Sequence, residues 1–553
     1  ALARALVLGD ASDLPLEWKR ALRVTGLYHL MSVSGVHVAL VAAAIWTLGG
    51  WLPRSLRLLL MLAGMGLYLL LVGPLPPLVR AAVMGGLGVL ALLAQRPPAA
   101  ANALGWAVVL LVVHRPDLVN QPSFQLTAAA TAGILLLGPR LAERWSGALP
   151  HWLATSLAVS VAAQLATLPW ILPRFHLLSP ASPLLNLIAV PWTGLVLGAS
   201  LLWTGLALIS PSAAAACLPF LDLLAAPFAW PVRVPPEIWG TLPLRLPGWA
   251  AWALAVWLGS LLLLRSSRLW VRRGRTCVLV LTLGALAASG WLGWSRKGPE
   301  LVMLDVGQGD AILLRDGPRA VLVDGGGWDW GDLGGRVLLP ALLAEGIRSL
   351  DALVMTHPDR DHCGGLVDIA AYLPVREVWM GHGWDPESCA GRLTALPGVR
   401  IRLLAAGDRK SLGGWSLKVL HPDSDERRGE NERSLVLLAA TAGKRVLLTG
   451  DIESWAEQSL LSCCAPDLHV DVLKVAHHGS RTSTAESFLG EACPRLALIS
   501  AGRNNVYRHP ATEVLERLER YGVRVLRTDR DGQISLSWTD AGRMRIELPG
   551  VPR

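Results

Sequence analysis

The stretch THPDRDHCGG, residues 356–365, decides how the second half of this chain folds. Directly after the apolar run DALVM, it places four polar side chains within six positions: His357, Asp359, Asp361 and His362. The glycines that follow allow the backbone to turn sharply, so the spacing predicts a tight loop that leads from a strand into a helix. Imidazole and carboxylate groups bind divalent cations, which makes this loop a candidate metal site.

Two further polar motifs follow apolar runs in the same half of the chain. Asp451 ends KRVLLTGD, and His477 lies in VDVLKVAHHGS, so each stands where a predicted strand gives way to a loop. In layered α/β folds the C-terminal ends of the strands meet at one edge, where ligands bind. We therefore expect two divalent ions at this edge with Asp451 as a bridging ligand, since such a pair activates water and clamps a phosphate. A solvated acidic turn is the alternative for the loop alone, and the two downstream motifs argue against it.

The first half of the chain has the composition of a membrane domain. Of the 553 residues, 52% are hydrophobic and only 17% are charged, which excludes an ordinary soluble enzyme. Apolar runs as long as a membrane span recur up to Trp294, whereas charged residues have ordinary globular density from Gly298 onward. We therefore predict a polytopic α-helical membrane domain over residues 1–297, with about nine or ten spans or re-entrant helices, followed by an α/β domain over residues 298–553. Interrupted runs such as NLIAVPWTGLVLG are equally compatible with a transport path and with Pro-kinked packing helices.

Charge predicts the orientation of the second domain. The loop RSSRLWVRRGR, residues 265–275, carries five Arg between the last two clear apolar runs, and short loops rich in Lys and Arg stay in the cytoplasm. The chain should therefore leave its last span on the outer side, which predicts an extracytoplasmic second domain. The net charge of +9 is compatible with an anionic partner, but much of it comes from such loops and is weak evidence for nucleic acid.

Motifs spread over most of the chain resemble one known family. The second domain is similar to the metallo-β-lactamase-type domain of the ComEC/competence-protein family in LDVGQGDAILL, LVDGGG, THPDRDHCGGL, LLTGDIE, LKVAHHGSRTS and RHPATEVLERL. The first half resembles the competence domain of that family in TGLYHLMSVSGVHVAL, VRAAVM, FQLTAAATAGIL and LLNLIAVPW. The colinear order of these motifs makes the resemblance specific.

The resemblance implies a polytopic membrane domain followed by an αββα hydrolase domain, in a protein of the bacterial cytoplasmic membrane. It implies a channel for natural transformation that passes single-stranded DNA into the cytoplasm. The extracytoplasmic domain, a metal-dependent nuclease, would act on double-stranded DNA and degrade the strand that is not transported. A DNA-receptor protein outside and a cytoplasmic helicase inside are the implied partners.

Individual side chains receive expected roles from these motifs. The expected metal ligands are His357, Asp359, Asp361, His362, Asp451 and His477. Asp361 and His478 are the expected catalytic residues, with His478 protonating the leaving oxygen. The wider superfamily pattern H-x-H-x-D-H has a His where this chain has Asp359. The extra oxygen ligand makes Mn²⁺ a rival to Zn²⁺ for the two divalent ions.

Further polar side chains near the motifs are candidate substrate-binding groups: Ser480, Arg481, Ser483 and His509. Arg and hydroxyl groups in a loop can hold a phosphate, whereas His509 either completes the site or caps a turn. The motif DVGQGD offers three more groups, either as supports for the ligands or as turn residues: Asp305, Gln308 and Asp310.

In the membrane domain, the motif SVSGVHV carries two candidate channel-lining residues. Ser34 and His37 are three positions apart and share one helical face. An ionisable group inside an apolar span is a functional candidate by default, and the alternative is a hydrogen-bonded His among small packing residues. Gln125 and Asn186 are channel-lining candidates by analogy with the family alone.

Two rival functions belong to different classes. A membrane-tethered metallohydrolase could act on another phosphodiester or on a lipid substrate, but about ten spans are far more than an anchor requires. A channel whose second domain only binds DNA would have no need of the complete set of candidate ligands. We therefore expect a DNA uptake channel with an attached nuclease.

Overall fold

The computed structural model describes most of the chain. It covers residues 2–263 apart from 12, 32, 34, 74, 231–241, 244, 245 and 247, and residues 298–548 apart from 328–331, 423–428, 540 and 541. Between these ranges it describes residues 273, 274, 276–278, 280, 281 and 284. The chain forms two compact units, Ala1–Ala288 and Ser289–Arg553. We keep residues 297 and 298 as the proposed domain boundary, because a strand begins at Pro299.

The described part of the first unit consists of helices and one short antiparallel ladder. The ladder pairs β1 (Leu177–Leu178) with β2 (Leu242–Pro243). The α-helices are α1 (Leu2–Leu8), α2 (Leu16–Val24), α3 (Gly35–Leu48), α4 (Arg54–Val72), α5 (Pro76–Leu93), α6 (Ala100–His114), α7 (Pro122–Leu136), α8 (Gly138–Trp145), α9 (His151–Phe175), α10 (Ser182–Ile209), α11 (Pro211–Ala225) and α12 (Gly248–Leu263). Three 3₁₀ turns join them at Tyr28–Met31, Pro116–Asn120 and Ala226–Ala229.

Several of these helices are membrane spans by length and composition. Within the described residues, four segments are long and apolar enough to cross a membrane: Arg54–Val72, His151–Phe175, Ser182–Ile209 and Pro211–Ala229. The pair α7 and α8 adds a fifth if the 43° bend between them lies within one span. Shorter apolar helices, such as α3 and α6, accompany them. These segments give the first unit a membrane location, while the count of about nine or ten spans stays a prediction.

Proline does not interrupt the longest helices of this unit. α10 runs through Pro191, and α9 contains both Pro169 and Pro173. Each proline removes one backbone hydrogen bond and favours a kink, but neighbouring helices can support such a position. The run NLIAVPWTGLVLG is therefore a continuous helix, as the packing alternative expects.

The second unit alternates strands with helices. Its strands are β3 (Pro299–Met303), β4 (Ile312–Asp316), β5 (Arg319–Val323), β6 (Leu350–Met355), β7 (Val375–Met380), β8 (Arg400–Leu403), β9 (Arg409–Leu412), β10 (Trp415–His421), β11 (Val436–Thr441), β12 (Lys444–Leu448), β13 (Val472–Lys474), β14 (Leu496–Ile499), β15 (Arg524–Arg527), β16 (Ile534–Trp538) and β17 (Met544–Glu547). Its α-helices are α13 (Leu339–Ala344), α14 (Arg360–Ala370), α15 (Cys389–Thr394), α16 (Ser454–Leu468), α17 (Glu486–Ala492), α18 (Thr512–Arg520) and α19 (Thr528–Asp531).

These strands form two sheets. One sheet has the order β17-β16-β3-β4-β5-β6-β7-β8, and the other has the order β15-β14-β13-β12-β11-β10-β9. In the first sheet β5 to β8 run parallel, and in the second β12 to β15 run parallel. The other neighbours are antiparallel. The first strand of the unit, β3, lies beside its second-to-last strand, β16.

The hydrophobic core lies between the two sheets. It combines Leu314 and Val354 of the first sheet with Leu437 and Leu448 of the second, and Trp415 lies among them. A separate apolar cluster joins the second sheet to α16, α17 and α18, and α14 packs against β6 of the first sheet. Facing sheets with helices outside are the αββα layering that the sequence predicts, and the burial of apolar area stabilises it.

A disulfide bond joins α14 to α15. Cys363 lies in the first turn of α14 and is bonded to Cys389, the first residue of α15, across 26 positions of sequence. A second disulfide joins the neighbouring residues Cys463 and Cys464 in α16. The first bond therefore fixes the beginning of α14, the helix that the THPDRDHCGG loop enters.

Candidate metal centre

Four buried side chains from distant parts of the second unit converge on one point. They are Asp310, His362, Asp451 and His478, whose ligand atoms all lie within 4.8 Å of one another. Asp310 precedes β4, His362 lies in the first turn of α14, and the other two follow β12 and β13. The cluster combines two carboxylates with two imidazoles, which are donor types that hold Zn²⁺ and Mn²⁺.

Asp451 lies at the centre of this cluster. Its Oδ2 atom is 3.2 Å from His362 Nε2 and 3.4 Å from His478 Nε2. Asp361 Oδ2 lies 3.4 Å from the same His478 nitrogen, and the Asp361 side chain is 34% exposed. Asp361 is therefore a partly exposed carboxylate beside the buried cluster.

Outer hydrogen bonds set the direction of both imidazoles. His362 Nδ1 lies 2.8 Å from Asp324 Oδ2, and His478 Nδ1 lies 3.0 Å from the Ser500 carbonyl oxygen. Since Nδ1 donates to these acceptors, Nε2 of each ring is left to face the cluster. Asp324 has a left-handed φ of +57° and also accepts hydrogen bonds from the amide and hydroxyl of Thr356. Its carboxylate is thus held in one position at the end of β5.

We predict that Asp324→Asn weakens Mn²⁺ binding by about 10-fold or more, because a neutral amide is a weaker acceptor for the His362 N–H. Isothermal titration of the second unit with Mn²⁺ measures the change. Asp351→Asn is the matched control, since Asp351 lies on the neighbouring strand and binds Ala320 N and Arg376 instead. An unchanged affinity in Asp324→Asn would show that this hydrogen bond does not orient a ligand.

Glycines bring the loop after β5 against the start of α14. The Gly325 amide donates to the His362 carbonyl oxygen at 2.7 Å, and the Gly365 amide donates to the Gly326 carbonyl oxygen at 2.8 Å. A Cβ atom on Gly365 would lie 1.9 Å from the Gly325 carbonyl oxygen, which no side chain tolerates. The close backbone approach therefore requires glycine here, and it keeps Asp324 beside its imidazole partner.

His357 and Asp359 lie beside the cluster. His357 is fully buried, and its ring centroid lies 4.1 Å from that of His362. Its Nε2 atom is 3.6 Å from Asp359 Oδ2 and has no hydrogen-bond partner in the described part of the chain. Asp310 Oδ1 is likewise buried without a hydrogen-bond partner in the described part of the chain. Buried polar atoms without partners are costly, so these two atoms fit a cation-binding site in which His357 and Asp359 would hold a second ion.

The two adjacent histidines have different surroundings. His477 and His478 have left-handed φ values of +48° and +53°, a strained backbone that turns their side chains apart. His478 is buried in the cluster, whereas the side chain of His477 is 23% exposed. His477 Nε2 lies 3.9 Å from Asp451 Oδ2, and its Nδ1 lies 3.0 Å from Glu453 Oε1. His478 therefore lies in the buried cluster and His477 lies at its rim, and the expected roles of both stay predictions.

Lys474 brings a buried positive charge to the same cluster. Its ammonium contacts Asp310, lies 3.4 Å from Asp451 Oδ1 and donates a 2.8 Å hydrogen bond to the Gly450 carbonyl oxygen. Burial lowers the pKa of this ammonium, but the two carboxylates outweigh burial and raise it, so the group stays charged. Sequence reasoning missed both Lys474 and Asp324, although each lies at the end of an apolar strand, as the predicted ligands do.

The charges of the cluster set its pKa values. Burial lowers the pKa of His362, but the carboxylates of Asp451 and Asp324 outweigh burial and hold that pKa well above its usual range. For His478 burial is likewise outweighed, and Asp451 and Asp310 raise its pKa to about 9. Burial raises the pKa of Asp451, but the neighbouring cations hold it well below its usual range. The Asp451 carboxylate is therefore ionised at neutral pH, and a metal ion would displace protons from the imidazoles.

The loop after the histidines contains two predicted substrate-binding residues, of which Ser480 is buried and Arg481 is exposed. The Ser480 hydroxyl lies 3.0 Å from Thr482 Oγ1, and its side chain is largely buried. Arg481 is 77% exposed, and its Nε atom lies 3.0 Å from Glu513 Oε1. Arg481 has the exposure that a phosphate contact needs, and this role stays a prediction for both residues.

The other two predicted substrate-binding residues have different surroundings. Ser483 is 1% exposed and donates its hydroxyl hydrogen to the Ala476 carbonyl oxygen, so it stabilises the turn and is not accessible to a phosphate. The His509 ring lies 5.7 Å from that of His477, and its amide donates to Asn505 Oδ1. His509 therefore lies at the rim with His477.

The motif DVGQGD divides between turn chemistry and the cluster. Asp305 Oδ1 accepts a 3.2 Å hydrogen bond from the Gly307 amide, which is a local turn interaction. Gln308 Oε1 accepts a 3.1 Å hydrogen bond from the Gly502 amide and so ties two loops together. Asp310 alone of the three belongs to the buried cluster.

Two of the predicted channel-lining residues of the first unit, His37 and Gln125, form hydrogen bonds within the structure. Ser34 lies outside the described residues. His37 is buried, with Nε2 2.6 Å from the Leu6 carbonyl oxygen in α1, as the alternative of a hydrogen-bonded His expects. Gln125 donates to the Val119 carbonyl oxygen. Their channel-lining role stays a proposal.

Asn186 is the fourth of these residues. It lies near the start of α10, and its Oδ1 atom is buried with no hydrogen-bond partner in the part of the chain that the structure describes. A buried amide oxygen in that state is a candidate for a polar contact that a passing substrate or water provides. Its role likewise stays a proposal.

Comparison with known protein families assigns both units. The family model described as competence protein matches residues 6–269, and the model of the metallo-beta-lactamase superfamily matches residues 304–503. The apolar helices and the first match identify a polytopic helical unit. The observed layering and the second match identify the metallo-β-lactamase-type domain that follows it. This fold indicates a metal-dependent hydrolase, and the cluster described above indicates divalent metal.

Two curated relatives match nearly the whole chain. It is 32% identical over 572 residues to ComE operon protein 3 from Bacillus subtilis (strain 168), which covers 96% of this chain and 70% of that protein. It is 30% identical over 583 residues to competence protein ComA from Neisseria gonorrhoeae, which covers 99% of this chain and 76% of that one. Among solved structures, the metallo-beta-lactamase fold protein YhfI from Bacillus subtilis aligns with 45% of this chain and 100% of its own, at 15% identity and a TM-score of 0.30. The order of the two family matches and the extent of both relatives show that this chain belongs to the ComEC/competence-protein family.

Proposed function

We propose that this chain is a DNA uptake channel of the bacterial cytoplasmic membrane that carries a metal-dependent nuclease. The first unit passes single-stranded DNA into the cytoplasm during natural transformation, and the second unit degrades the strand that is not transported. The convergence of Asp310, His362, Asp451 and His478 in a chain that also has a competence-type membrane unit carries this proposal.

The geometry supports hydrolysis of a phosphodiester at the exposed edge of the cluster. Asp310, His362, Asp451 and His478, together with the adjacent Asp361, would hold one divalent ion. Such an ion would supply a Lewis acid that lowers the pKa of water and stabilises charge on phosphoryl oxygens. Asp361 is the exposed member of this set, so the substrate enters on its side. His357 and Asp359 would hold the second ion.

A residue at the rim of the site would donate the proton to the leaving oxygen. His478 is buried between Asp451 and the Ser500 carbonyl oxygen, which leaves it no access to a leaving group. His477 is partly exposed and lies next to the ring of His509. We therefore assign the general acid to His477, in place of the neighbour that the sequence favoured.

The ligand set favours Mn²⁺ over Zn²⁺. The candidate ligands include more carboxylates than imidazoles: the imidazoles are those of His357, His362 and His478, and the carboxylates are those of Asp310, Asp359, Asp361 and Asp451. Hard oxygen donors suit Mn²⁺. Activity restored by Zn²⁺ alone, with Mn²⁺ inert, would contradict this preference.

Two observations support an extracytoplasmic second unit. The Arg-rich loop 265–275 is expected to stay in the cytoplasm, which places the chain after the last span outside. The disulfide between Cys363 and Cys389 supports the same orientation, because such bonds persist in oxidising compartments and are rare in the cytosol. A DNA-receptor protein outside and a cytoplasmic helicase inside fit this orientation as partners.

The test is a cleavage assay on the second unit, produced from Pro299 to the end of the chain. We expect metal-dependent cleavage of single- or double-stranded DNA that EDTA abolishes and Asp361→Ala removes. Arg376→Ala is the control variant, because Arg376 is an exposed surface residue outside the cluster.

A folded, metal-loaded domain that leaves DNA intact would contradict the nuclease. In that case, cleavage of a phosphodiester or lipid phosphate in the same assay would identify the membrane-tethered hydrolase of the rival function. The channel would then have to be tested separately in the full chain.

A further inference from the structure

Arg80 is a buried arginine in the middle of the first unit. It lies in α5 with only 7% of its surface exposed. Its Nη1 atom donates to the Thr127 carbonyl oxygen and, at 2.6 Å, to Thr131 Oγ1, both in α7. Its Nε atom is buried and has no hydrogen-bond partner among the residues that the structure describes. The guanidinium is therefore anchored through one nitrogen and unsatisfied at another.

Both partners of Arg80 are uncharged, so its positive charge has no counter-ion in the described structure. Residues 1–297 contain 21 Lys and Arg against seven Asp and Glu, which makes carboxylates scarce in this unit. A charged group within an apolar helical bundle is costly to bury without an opposite charge. A purely structural tie between α5 and α7 would be made at lower cost by a neutral side chain.

A second arginine contacts α7 in the same way. Arg174, in the last turn of α9, donates a 2.6 Å hydrogen bond from Nη1 to Gln125 Oε1. Gln125 is neutral, and the described structure shows no carboxylate paired with Arg174. α7 therefore receives a guanidinium from α5 and another from α9, each bound to neutral acceptors.

We propose that Arg80 and Arg174 bind backbone phosphates of the nucleic-acid strand that crosses the first unit. A guanidinium carries five N–H donors, and its planar edge matches two oxygens of a phosphodiester. In Arg80 the Nη1 donor is occupied by α7, so the edge formed by Nε and Nη2 is the one left for a phosphate. The anion would supply both the missing hydrogen-bond acceptor and the missing negative charge.

This inference rests on the proposed channel function and adds the residues that hold the strand. Because the contacts are to phosphate and not to base edges, the site would accept any sequence. Polar groups on α7 would position the two arginines, and Thr131 in particular fixes the Arg80 guanidinium without neutralising it.

The experiment measures binding of a fluorescent oligothymidylate strand to the full chain, purified in detergent with EDTA to prevent cleavage. Affinity is determined by fluorescence anisotropy over a series of salt concentrations. We expect Arg80→Gln to weaken binding about 10-fold or more. The slope of log affinity against log salt should fall by about 0.7, the value for one phosphate contact to a single strand. Arg174→Gln should act in the same direction.

Arg96→Gln is the matched control, because this substitution removes the same charge as Arg80→Gln. Arg96 is exposed and lies just after the end of α5. The proposal would be overturned if Arg80→Gln kept the thermal stability of the unaltered protein and had the same affinity and salt slope as this control. If Arg80→Gln does not fold, Arg80→Lys decides, because lysine keeps the charge but has no planar edge. We expect it to retain the salt slope and lose affinity, and wild-type affinity in Arg80→Lys would also overturn the proposal.

The two levels of the hypothesis fail differently. If the unaltered full chain does not bind the single strand at any salt concentration, the channel function itself is wrong. If it binds and the arginine variants bind equally well, only the phosphate site is wrong.

Discussion

Asp451→Asn is expected to abolish metal binding at the cluster and to reduce hydrolysis by the second unit at least about 100-fold, the upper range for loss of an outer-shell partner. Asp451 is the residue whose carboxylate contacts both buried imidazoles and the Lys474 ammonium. An amide of the same shape removes the charge that offsets these cations and one of the ion's oxygen donors. No neighbour replaces it, because Asp310 already contacts the same ammonium.

The measurement is Mn²⁺ titration calorimetry followed by DNA cleavage at saturating metal. Asp471→Asn serves as the control, because Asp471 forms a partly buried ion pair with Lys444 in the same sheet and lies outside the cluster. Its loss should lower stability and leave metal affinity unchanged. Metal affinity in Asp451→Asn equal to that of the unaltered domain would mean that the ion binds elsewhere.

Replacing Cys363 and Cys389 together by Ala should lower the free energy of unfolding of the second unit by about 3 kcal/mol. The disulfide closes a loop of 26 positions, and opening it restores conformational freedom to the unfolded chain. Cys363 follows His362 directly, so the same change should also weaken Mn²⁺ binding by loosening the first turn of α14.

Urea denaturation of the metal-free domain, with and without dithiothreitol, measures this effect. The reductant should shift the midpoint of the unaltered domain and leave that of the double variant nearly unchanged. Cys493→Ala is the control, because Cys493 is an exposed free thiol. A midpoint that is insensitive to reductant in the unaltered domain would contradict the disulfide and remove one of the two supports for the extracytoplasmic orientation.

The fold and part of the candidate metal site could be predicted from sequence because they are encoded locally. His357, Asp361 and His362 lie within one short loop, and Asp451 ends an apolar strand, so their placement follows from strand direction. The alternation of strands and helices in the same way predicts a layered α/β fold, and the family resemblance implies its two sheets with helices outside. Local spacing was sufficient for these features.

The remaining features depend on contacts between distant segments. Asp324 and Lys474 reach the cluster only because β5 and β13 end beside α14 and β12, which no spacing reveals. The choice between His477 and His478 depends on two left-handed residues in a row, a conformation that only the packed turn imposes. For the helical unit, hydropathy detected apolar runs but could not tell that α10 continues through Pro191.

The pairing of β3 with β16 has a consequence for the biogenesis of the protein. Met303 pairs with Ile534, so the strand that is synthesised first in this unit waits for one of the last before its sheet is complete. Contacts between such distant segments slow folding, because a long loop must close before they form. On the proposed topology, the unit would cross the membrane as an incomplete sheet and reach its final structure only after the last strands have been exported. A premature stop just before residue 534 would therefore leave one edge of β3 unpaired, although β4 and all four residues of the buried cluster would still be present.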